Sequence, residues 1–229
     1  MTNNHVIPDV ATAELSKAEF DYDEDDLLFT VELKPERFFI TDVDLDFTII
    51  ACDSAPLPDN IEPIALLRDP HTVTRGERVN IIQHPQGRRK ELSLHDNKVN
   101  YVYDIGIRYT ADTEGGSSGS PVFNNEWNLV ALHHAGWQDN EGNATNEGIR
   151  INAIVDYLKL QHNSESSKPL DELLKCVKDG DSLSTLSKEK PTTPSAPHPY
   201  QTSNARIKTA RSLVLNLNPS IEEITINYD

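Results

Sequence analysis

Short runs of β-branched and aromatic residues, each closed by a turn signal, recur along residues 1–161, and this spacing restricts the fold more than any other feature of the chain. The runs include Leu28–Leu33, Phe47–Ala51, Arg78–Ile82, Lys90–Leu94, Asn100–Tyr103 and Leu129–Leu132. Strands this short cannot bury an apolar face alone, so they predict a β sandwich or barrel. One segment departs from the pattern. Ile151, Ile154, Val155 and Leu158 follow the i, i+3, i+4, i+7 spacing of a helix, which predicts a single helix over Ile151–Gln161 closing a β domain.

From His162 the character of the chain changes. Ser164–Pro169 reads as a linker, Leu170–Val177 has room for two helical turns, and Ser182–Pro199 carries the Ser, Thr, Lys and Pro content of a disordered segment. Ser212–Leu217 and Ile224–Ile226 have β character. The expected organisation is one domain over residues 1–161 and a linker with a low-complexity tail over 162–229. A mean hydropathy of −0.53 agrees with part of the chain lying outside a core.

Charge narrows the possible partners. The chain has 37 acidic and 21 basic residues, a formal net charge of −16. Arg88-Arg89-Lys90 is its longest basic cluster, too little to neutralise a phosphate backbone or bind an anionic bilayer, so neither nucleic acid nor membrane is an expected partner. No run reaches the roughly 18 apolar residues of a membrane span, and the opening MTNNHVIPDV lacks the features of a signal peptide. Cys52 and Cys176, far apart in the chain, make no disulfide framework, which predicts a reducing, cytoplasmic setting. Asp21, Asp23, Asp25 and Glu32 fall at ligand spacings of a Ca²⁺ loop, but Asp26 stands where that loop needs Gly and the flanks read as strands, so a solvated acidic hairpin loop is expected.

The segment with most chemistry is Gly115-Gly116-Ser117-Ser118-Gly119-Ser120-Pro121. A serine hydroxyl becomes a useful nucleophile only beside a base that a third group orients, and it needs backbone N–H donors for the oxyanion that develops. Glycines on both sides of Ser117-Ser118 allow a turn sharp enough to aim the N–H groups of Gly116 and Ser118 at one point. A plain Gly/Ser turn between strands is the alternative reading of the loop by itself.

GGSSGSPVFN closely resembles the nucleophile loop of trypsin-like serine peptidases of the chymotrypsin fold, above all the bacterial type and the glutamyl endopeptidase branch. The resemblance extends over roughly residues 2–160. It implies an all-β fold of two six-stranded Greek-key barrels followed by a C-terminal helix, Ser118 as nucleophile, and a substrate-binding strand within Asn128–Gly136. Thr2-Asn3-Asn4-His5-Val6 resembles the family's histidine motif, and Leu45-Asp46-Phe47-Thr48-Ile49-Ile50 its aspartate motif, in the family's chain order of His, Asp, Ser. The candidate catalytic set is therefore His5, Asp46 and Ser118; Asp42 and Asp44 are rivals to Asp46 that do not abut the apolar run. Because four residues precede His5, the expectation is a first barrel truncated at its N-terminal side, or strands encoded ahead of Met1.

By the same resemblance Thr113, His133 and Gly136 are candidate substrate-binding residues, with Thr113 and His133 implying Glu, or Asp, at P1. His134 occupies a place where many relatives carry a serine that supports the aspartate. The run His84-Pro85-Gln86-Gly87 is expected to be a structural turn, and neither a metal nor any other cofactor is expected. The predicted function is peptide-bond hydrolysis by a serine endopeptidase, with a polypeptide as substrate. The alternatives are a peptidase-fold module that docks a protein partner without catalysis, or the protease part of a bacterial defence-type multidomain protein with residues 162–229 as its connector to a partner.

Overall fold

The computed structural model describes residues 1–23, 29–53, 61, 63–68, 73–138, 144–165 and 167–178. A short helix α1 (Val10–Glu14), capped by the Asp9 carboxylate on the Thr12 N–H at 2.7 Å, precedes strands β1 (Lys17–Phe20), β2 (Phe29–Glu32), β3 (Phe39–Asp42) and β4 (Phe47–Ile50). Then come β5 (Leu66–Leu67), β6 (Asn80–Gln83), β7 (Glu91–Ser93), β8 (Val99–Val102), β9 (Gly106–Tyr109), β10 (Pro121–Phe123), β11 (Leu129–Gln138) and β12 (Ala144–Arg150). Helices α2 (Ile151–Ser164) and α3 (Lys168–Leu174) and the short strand β13 (Val177–Lys178) follow.

The C-terminal half is a barrel. Its strands run in the order β7–β6–β10–β11–β12–β9–β8, every pairing antiparallel. β7 and β8 are consecutive in the chain yet stand at opposite ends of that order. The chain turns between them at Asn97, whose amide donates to Ser93 O at 2.6 Å. The circuit then closes where the run ahead of β6 bonds to β8: Gly76 N to Val99 O at 2.8 Å, Val99 N to Glu77 O at 2.9 Å and Val79 N to Asn97 O at 3.1 Å. Closure removes the open strand edges that would otherwise invite association. The interior is filled by Val79, Ile81, Val99, Ile107, Tyr109, Val122 and Val130, all almost fully buried.

The N-terminal half is a half-barrel. β1 pairs with β2 and β3 with β4, and the hairpins join where Lys34 N donates to Ala51 O at 2.7 Å and Asp53 N to Glu32 O at 2.9 Å. Thr2 adds to β4 through reciprocal bonds with Thr48 at 2.9 and 2.8 Å. The chain is thus of the all-β class expected, with the helix after β12 that the apolar spacing predicts. That helix runs to Ser164, and its Ile151, Ile154, Val155 and Leu158 are buried against Phe47, Ile49, Phe123 and Leu132, which ties both halves into one core. Leu170 of α3 joins this core, and β13 pairs in parallel with β5, so residues beyond 161 pack on the same body. The expected disordered run 182–199 and β runs 212–217 and 224–226 lie outside the described residues, as do residues 24–28 of the acidic loop.

Among the described residues no helix is long and apolar enough to cross a membrane. Both cysteines are free thiols.

Candidate active site

Three segments far apart in sequence meet in the cleft between the half-barrel and the barrel. The first is the turn at residues 3–7, closed by Ile7 N on Asn3 O at 3.2 Å. It is fixed to the half-barrel from several sides: the Asn3 amide donates to Asp46 O at 2.9 Å, the Asn4 amide to Thr41 Oγ1 at 2.8 Å, and Thr48 Oγ1 to Ile7 O at 2.9 Å. These bonds explain why Asn3, Asn4 and Thr48 are buried though polar. They leave His5 at the surface of a rigid turn, its side chain 47% exposed.

Asp46 ends the turn ahead of β4 with φ +41°, a left-handed conformation that Asp tolerates better than most residues. Its rival Asp42 spends Oδ1 on the Leu45 N–H at 2.8 Å and shapes this turn, while Asp44 is exposed. Asp46 alone is buried, at 6% exposure. Its Oδ1 accepts the His5 backbone N–H at 2.8 Å and its Oδ2 accepts His5 Nδ1–H at 2.6 Å. Burial pushes the Asp46 carboxyl up, but the His5 N–H and the imidazoles of His134 and His5 outweigh it and hold the carboxyl below its ordinary value.

The loop carrying Ser118 is pinned at both ends. Gly119 N donates to His133 O at 2.9 Å and His133 N to Ser120 O at 2.8 Å, while Ser117 Oγ donates to Gln83 Oε1 at 2.8 Å. Gly119, at φ +83°, lies so close to the N-terminal segment that an added Cβ would stand 2.6 Å from Thr2 Oγ1. That close approach sets the spacing between the two halves, and Ser118 Oγ comes to 2.9 Å from His5 Nε2. Gly116 takes φ +95°, and the Gly115 carbonyl accepts the Gln86 N–H at 2.7 Å. In a trans peptide this turns the Gly116 N–H the opposite way. Among the described residues the N–H groups of Gly116 and Ser118 have no acceptor, which leaves two donors beside the hydroxyl. The run at residues 84–87 is a turn, as expected: Gly87 N donates to His84 O at 3.1 Å and Arg88 N to Pro85 O at 2.9 Å, with Gln86 at φ +54°, and the turn braces this loop through Gln86 N.

Thr113, His133 and Gly136 line a cleft of about 560 Å³ that Ser118 also borders. His133 is 4% exposed, and its Nδ1 lies 2.7 Å from Tyr109 Oη inside the barrel. Burial, aided by the charges of His134 and His5, pushes the His133 imidazole down to about 4, and burial pushes the Tyr109 phenol up. At neutral pH both are therefore uncharged. Thr113 Oγ1 donates to Asn146 Oδ1 at 2.6 Å and the Asn146 amide to Ala111 O at 2.7 Å, a chain of polar contacts along one wall. Glu114 at the rim is held by Arg88 at 2.7 Å and by Gln86 at 2.5 Å.

The low His133 value has a consequence for stability. Below its unfolded value of about 6.5 the imidazole is charged in the unfolded chain, yet in the fold it stays neutral down to about pH 4. The unfolded state binds more protons across that window, so stability falls as the pH drops through it, by on the order of 3 kcal/mol at the acid end. In urea denaturation, His133→Gln is expected to show a smaller loss than wild type between pH 7 and pH 4.5. Equal losses would contradict the burial argument.

His134 was assigned no role by sequence reasoning. Its Nδ1 stands 2.5 Å from Asp46 Oδ2, on the same oxygen that His5 uses. His5, Asp46 and His134 thereby bring one ligand atom each within 4.8 Å, a spacing at which a metal ion could be held. All three atoms are already spent on one another as two N–H donors and one acceptor, so the set is a hydrogen-bonded one. A hydroxyl 2.9 Å from an imidazole nitrogen, a buried carboxylate on the far side of that imidazole and two N–H groups without an acceptor among the described residues form an arrangement that can move a proton off a hydroxyl and stabilise an oxyanion.

A family model described as "Trypsin-like peptidase domain" matches residues 1–132. Among curated proteins, the chain is 36% identical over 159 residues to protein y4fB of Sinorhizobium fredii (strain NBRC 101917 / NGR234), covering 61% of this chain and 24% of that protein. It is 41% identical over 70 residues to the secreted RxLR effector protein 73 of Plasmopara viticola, covering 26% of this chain and 17% of that one. The chain thus spans about a quarter or less of the length of these relatives. Among solved structures, that of a Glu endopeptidase in complex with MPD aligns with TM-score 0.47 at 19% identity, covering 70% of this chain and 79% of the other.

Proposed function

The chain belongs to the trypsin-like peptidase domain family, and we propose that it hydrolyses peptide bonds as a serine endopeptidase. The observation that carries this reading is the continuous path Ser118 Oγ–His5 Nε2, 2.9 Å, and His5 Nδ1–Asp46 Oδ2, 2.6 Å, assembled from residues 113 and 41 positions apart. Asp46 accepts only, so it keeps the ring hydrogen on Nδ1 and leaves the Nε2 lone pair for the Ser118 proton. As Ser118 Oγ attacks the carbonyl carbon, His5 takes that proton and Asp46 stabilises the imidazolium. The N–H groups of Gly116 and Ser118 receive the oxyanion. His5 then protonates the leaving amine, and a water molecule releases the acyl group from Ser118 by the same route. No step calls for a metal or an organic cofactor.

The substrate lies along β11. β10 pairs with β11 only as far as Leu132, so the edge from His134 to Gln138 is left for an extended peptide, and an added Cβ at Gly136 would meet nothing within 4 Å. Its P1 side chain enters the cleft lined by Thr113 and His133. Donation by the Tyr109 hydroxyl to Nδ1 would place the His133 hydrogen on Nε2 and make the neutral ring a donor for the substrate. Glu114, the acidic residue among the described residues that line the cleft, is already paired with Arg88. P1 Glu is expected to be cleaved about tenfold or more better than P1 Ala in a peptide library read by mass spectrometry. Preference for Lys or Arg at P1 would overturn the assignment of the cleft.

The oxyanion donors yield a separate prediction. Gly116→Ala places a Cβ 2.8 Å from Gln86 N at a φ of +95°, so the 115–116 peptide must shift. kcat should fall about 100-fold with little change in KM, because the lost interaction exists only in the transition state. The direct test of the whole reading is a fluorophosphonate probe followed by peptide mapping. It is expected to modify Ser118 alone, and an unmodified Ser118 would rule the reading out.

A further inference from the structure

Asp46 serves two histidines. Oδ2 accepts from His5 Nδ1 and from His134 Nδ1, and Oδ1 takes the His5 backbone N–H. Both rings must therefore carry hydrogen on Nδ1 and turn Nε2 away from the carboxylate. Nε2 of His5 meets Ser118. Nε2 of His134 looks instead toward Glu147 Oε1, 4.0 Å away on β12. Glu147 is held at 2.8 Å by Arg108 of β9, whose guanidinium lies 3.8 Å over the ring of Trp137, a residue lining the substrate cleft.

We propose that His134 is a positioning residue that competes with His5 for the single negative charge of Asp46, so that a proton taken up by His134 weakens His5 as base and acid. The inference rests on the peptidase reading of the site. When neutral, His134 is one more donor fixing the carboxylate. When protonated, it is a cation on the oxygen that must stabilise the His5 imidazolium, with the two ring centroids only 6.2 Å apart. Like charges at that distance oppose each other's formation. A serine in this place could fix the carboxylate but could not titrate.

The charged and titratable groups facing His134 among the described residues come from four elements. Asp46, from the turn before β4, and Glu147, from β12, favour a proton on it. His5, from the N-terminal turn, and Arg108, from β9 behind Glu147, oppose one. His133, its chain neighbour, turns to Tyr109 and stays neutral. A proton on His134 would sit between two carboxylates while emptying the triad of part of its charge. The site is then attenuated in acid by two proton events instead of one.

Two readouts on wild type, His134→Gln, His134→Ser and Glu147→Gln test this. The first is the pH dependence of Ser118 labelling by a fluorophosphonate and of kcat/KM. Wild type is expected to lose activity in two steps on the acid side, with an intermediate level about tenfold below the maximum, whereas His134→Gln and His134→Ser fall in one step. Glu147→Gln should displace the His134 step to lower pH, since it removes a carboxylate while keeping a partner for Arg108. The second readout is the titration of the His5 imidazole resonances by NMR. It should be two-step in wild type and one-step in His134→Gln. This measurement needs no turnover, so an unlabelled but folded chain counts against the peptidase reading while the imidazole curves still decide the role of His134. Superimposable one-step curves in wild type and His134→Gln would overturn the proposal, and His134→Gln retains an N–H donor so that folding is not at issue.

Discussion

Ser118→Ala is expected to lower kcat/KM by about 10⁵-fold and to abolish fluorophosphonate labelling, with the melting temperature changed by no more than about 3 °C. The asymmetry follows from what the hydroxyl touches. Among the described residues Ser118 Oγ has one partner, His5 Nε2, in an exposed position. The loop itself is held by Ser117 on Gln83 and by the backbone bonds of Gly119 and Ser120, none of which uses the Ser118 side chain. Removing one oxygen therefore leaves the fold in place and takes away the hydroxyl that the proposal assigns to the acyl bond. What survives is the rate supplied by substrate binding and the two N–H donors, roughly 10³-fold over water. Full activity in this variant would assign the chemistry to another residue.

Asp46→Asn is the second large effect, about 10⁴-fold in kcat. The new residue suits the left-handed φ of +41°, so the turn before β4 should persist. The side chain, however, now offers an NH₂ where one of two oxygens stood, against three N–H groups that all need acceptors: the His5 backbone, His5 Nδ1 and His134 Nδ1. One imidazole must change tautomer, and if it is His5, Nε2 gains a hydrogen and can no longer accept from Ser118. Asp46→Ala should be as inactive and less stable, since it empties a buried site and strains the backbone. The stability cost of Asp46→Asn also has a predictable pH dependence. The folded carboxyl lies below its ordinary value of about 3.9, so its stabilising effect is complete above that pH and is lost as the pH falls through the folded value. Urea denaturation at pH 7 and pH 3 should thus show a large deficit for Asp46→Asn at pH 7 that narrows at pH 3; a constant deficit would mean that the carboxylate charge contributes nothing to the fold.

The parts of this molecule that were legible in the sequence are those in which residue type dictates backbone shape. Gly116 and Gly119 adopt the positive φ values that a sharp loop around Ser118 demands. Ile151, Ile154, Val155 and Leu158 form the buried stripe of α2 that their spacing predicts. Strand limits were less legible. The apolar run Leu129–Leu132, which the resemblance extends to Gly136, continues as a strand to Gln138 because β12 pairs with it from Ala131 to Gln138, which no local property of Trp137 announces. Phe39-Ile40-Thr41 has the composition of a strand, but the limits of β3 at Phe39 and Asp42 follow from its pairing with β4.

Histidines 133 and 134 mark the limit most clearly. Two adjacent strand residues point to opposite faces, so the sequence already requires that they do different things. It does not say which goes where. The register of β11 against β12 slips between His133 and Ala135, and Tyr109 and Asp46 wait on the two sides. The Glu114–Arg88 pair, 26 residues apart, is likewise a product of the fold.

The amino-acid sequence by itself determined the short-strand class, the closing helix and a Gly-flanked serine loop, since each depends on local steric preference or on apolar periodicity. Tertiary structure alone decided that His5, Asp46 and Ser118 meet within hydrogen-bond distance, that His133 is buried neutral beneath the cleft, and that His134 shares an oxygen with His5. Those outcomes rest on burial and on distances of a few ångströms between segments remote in sequence, and such distances are fixed only when barrel and half-barrel close on a common core.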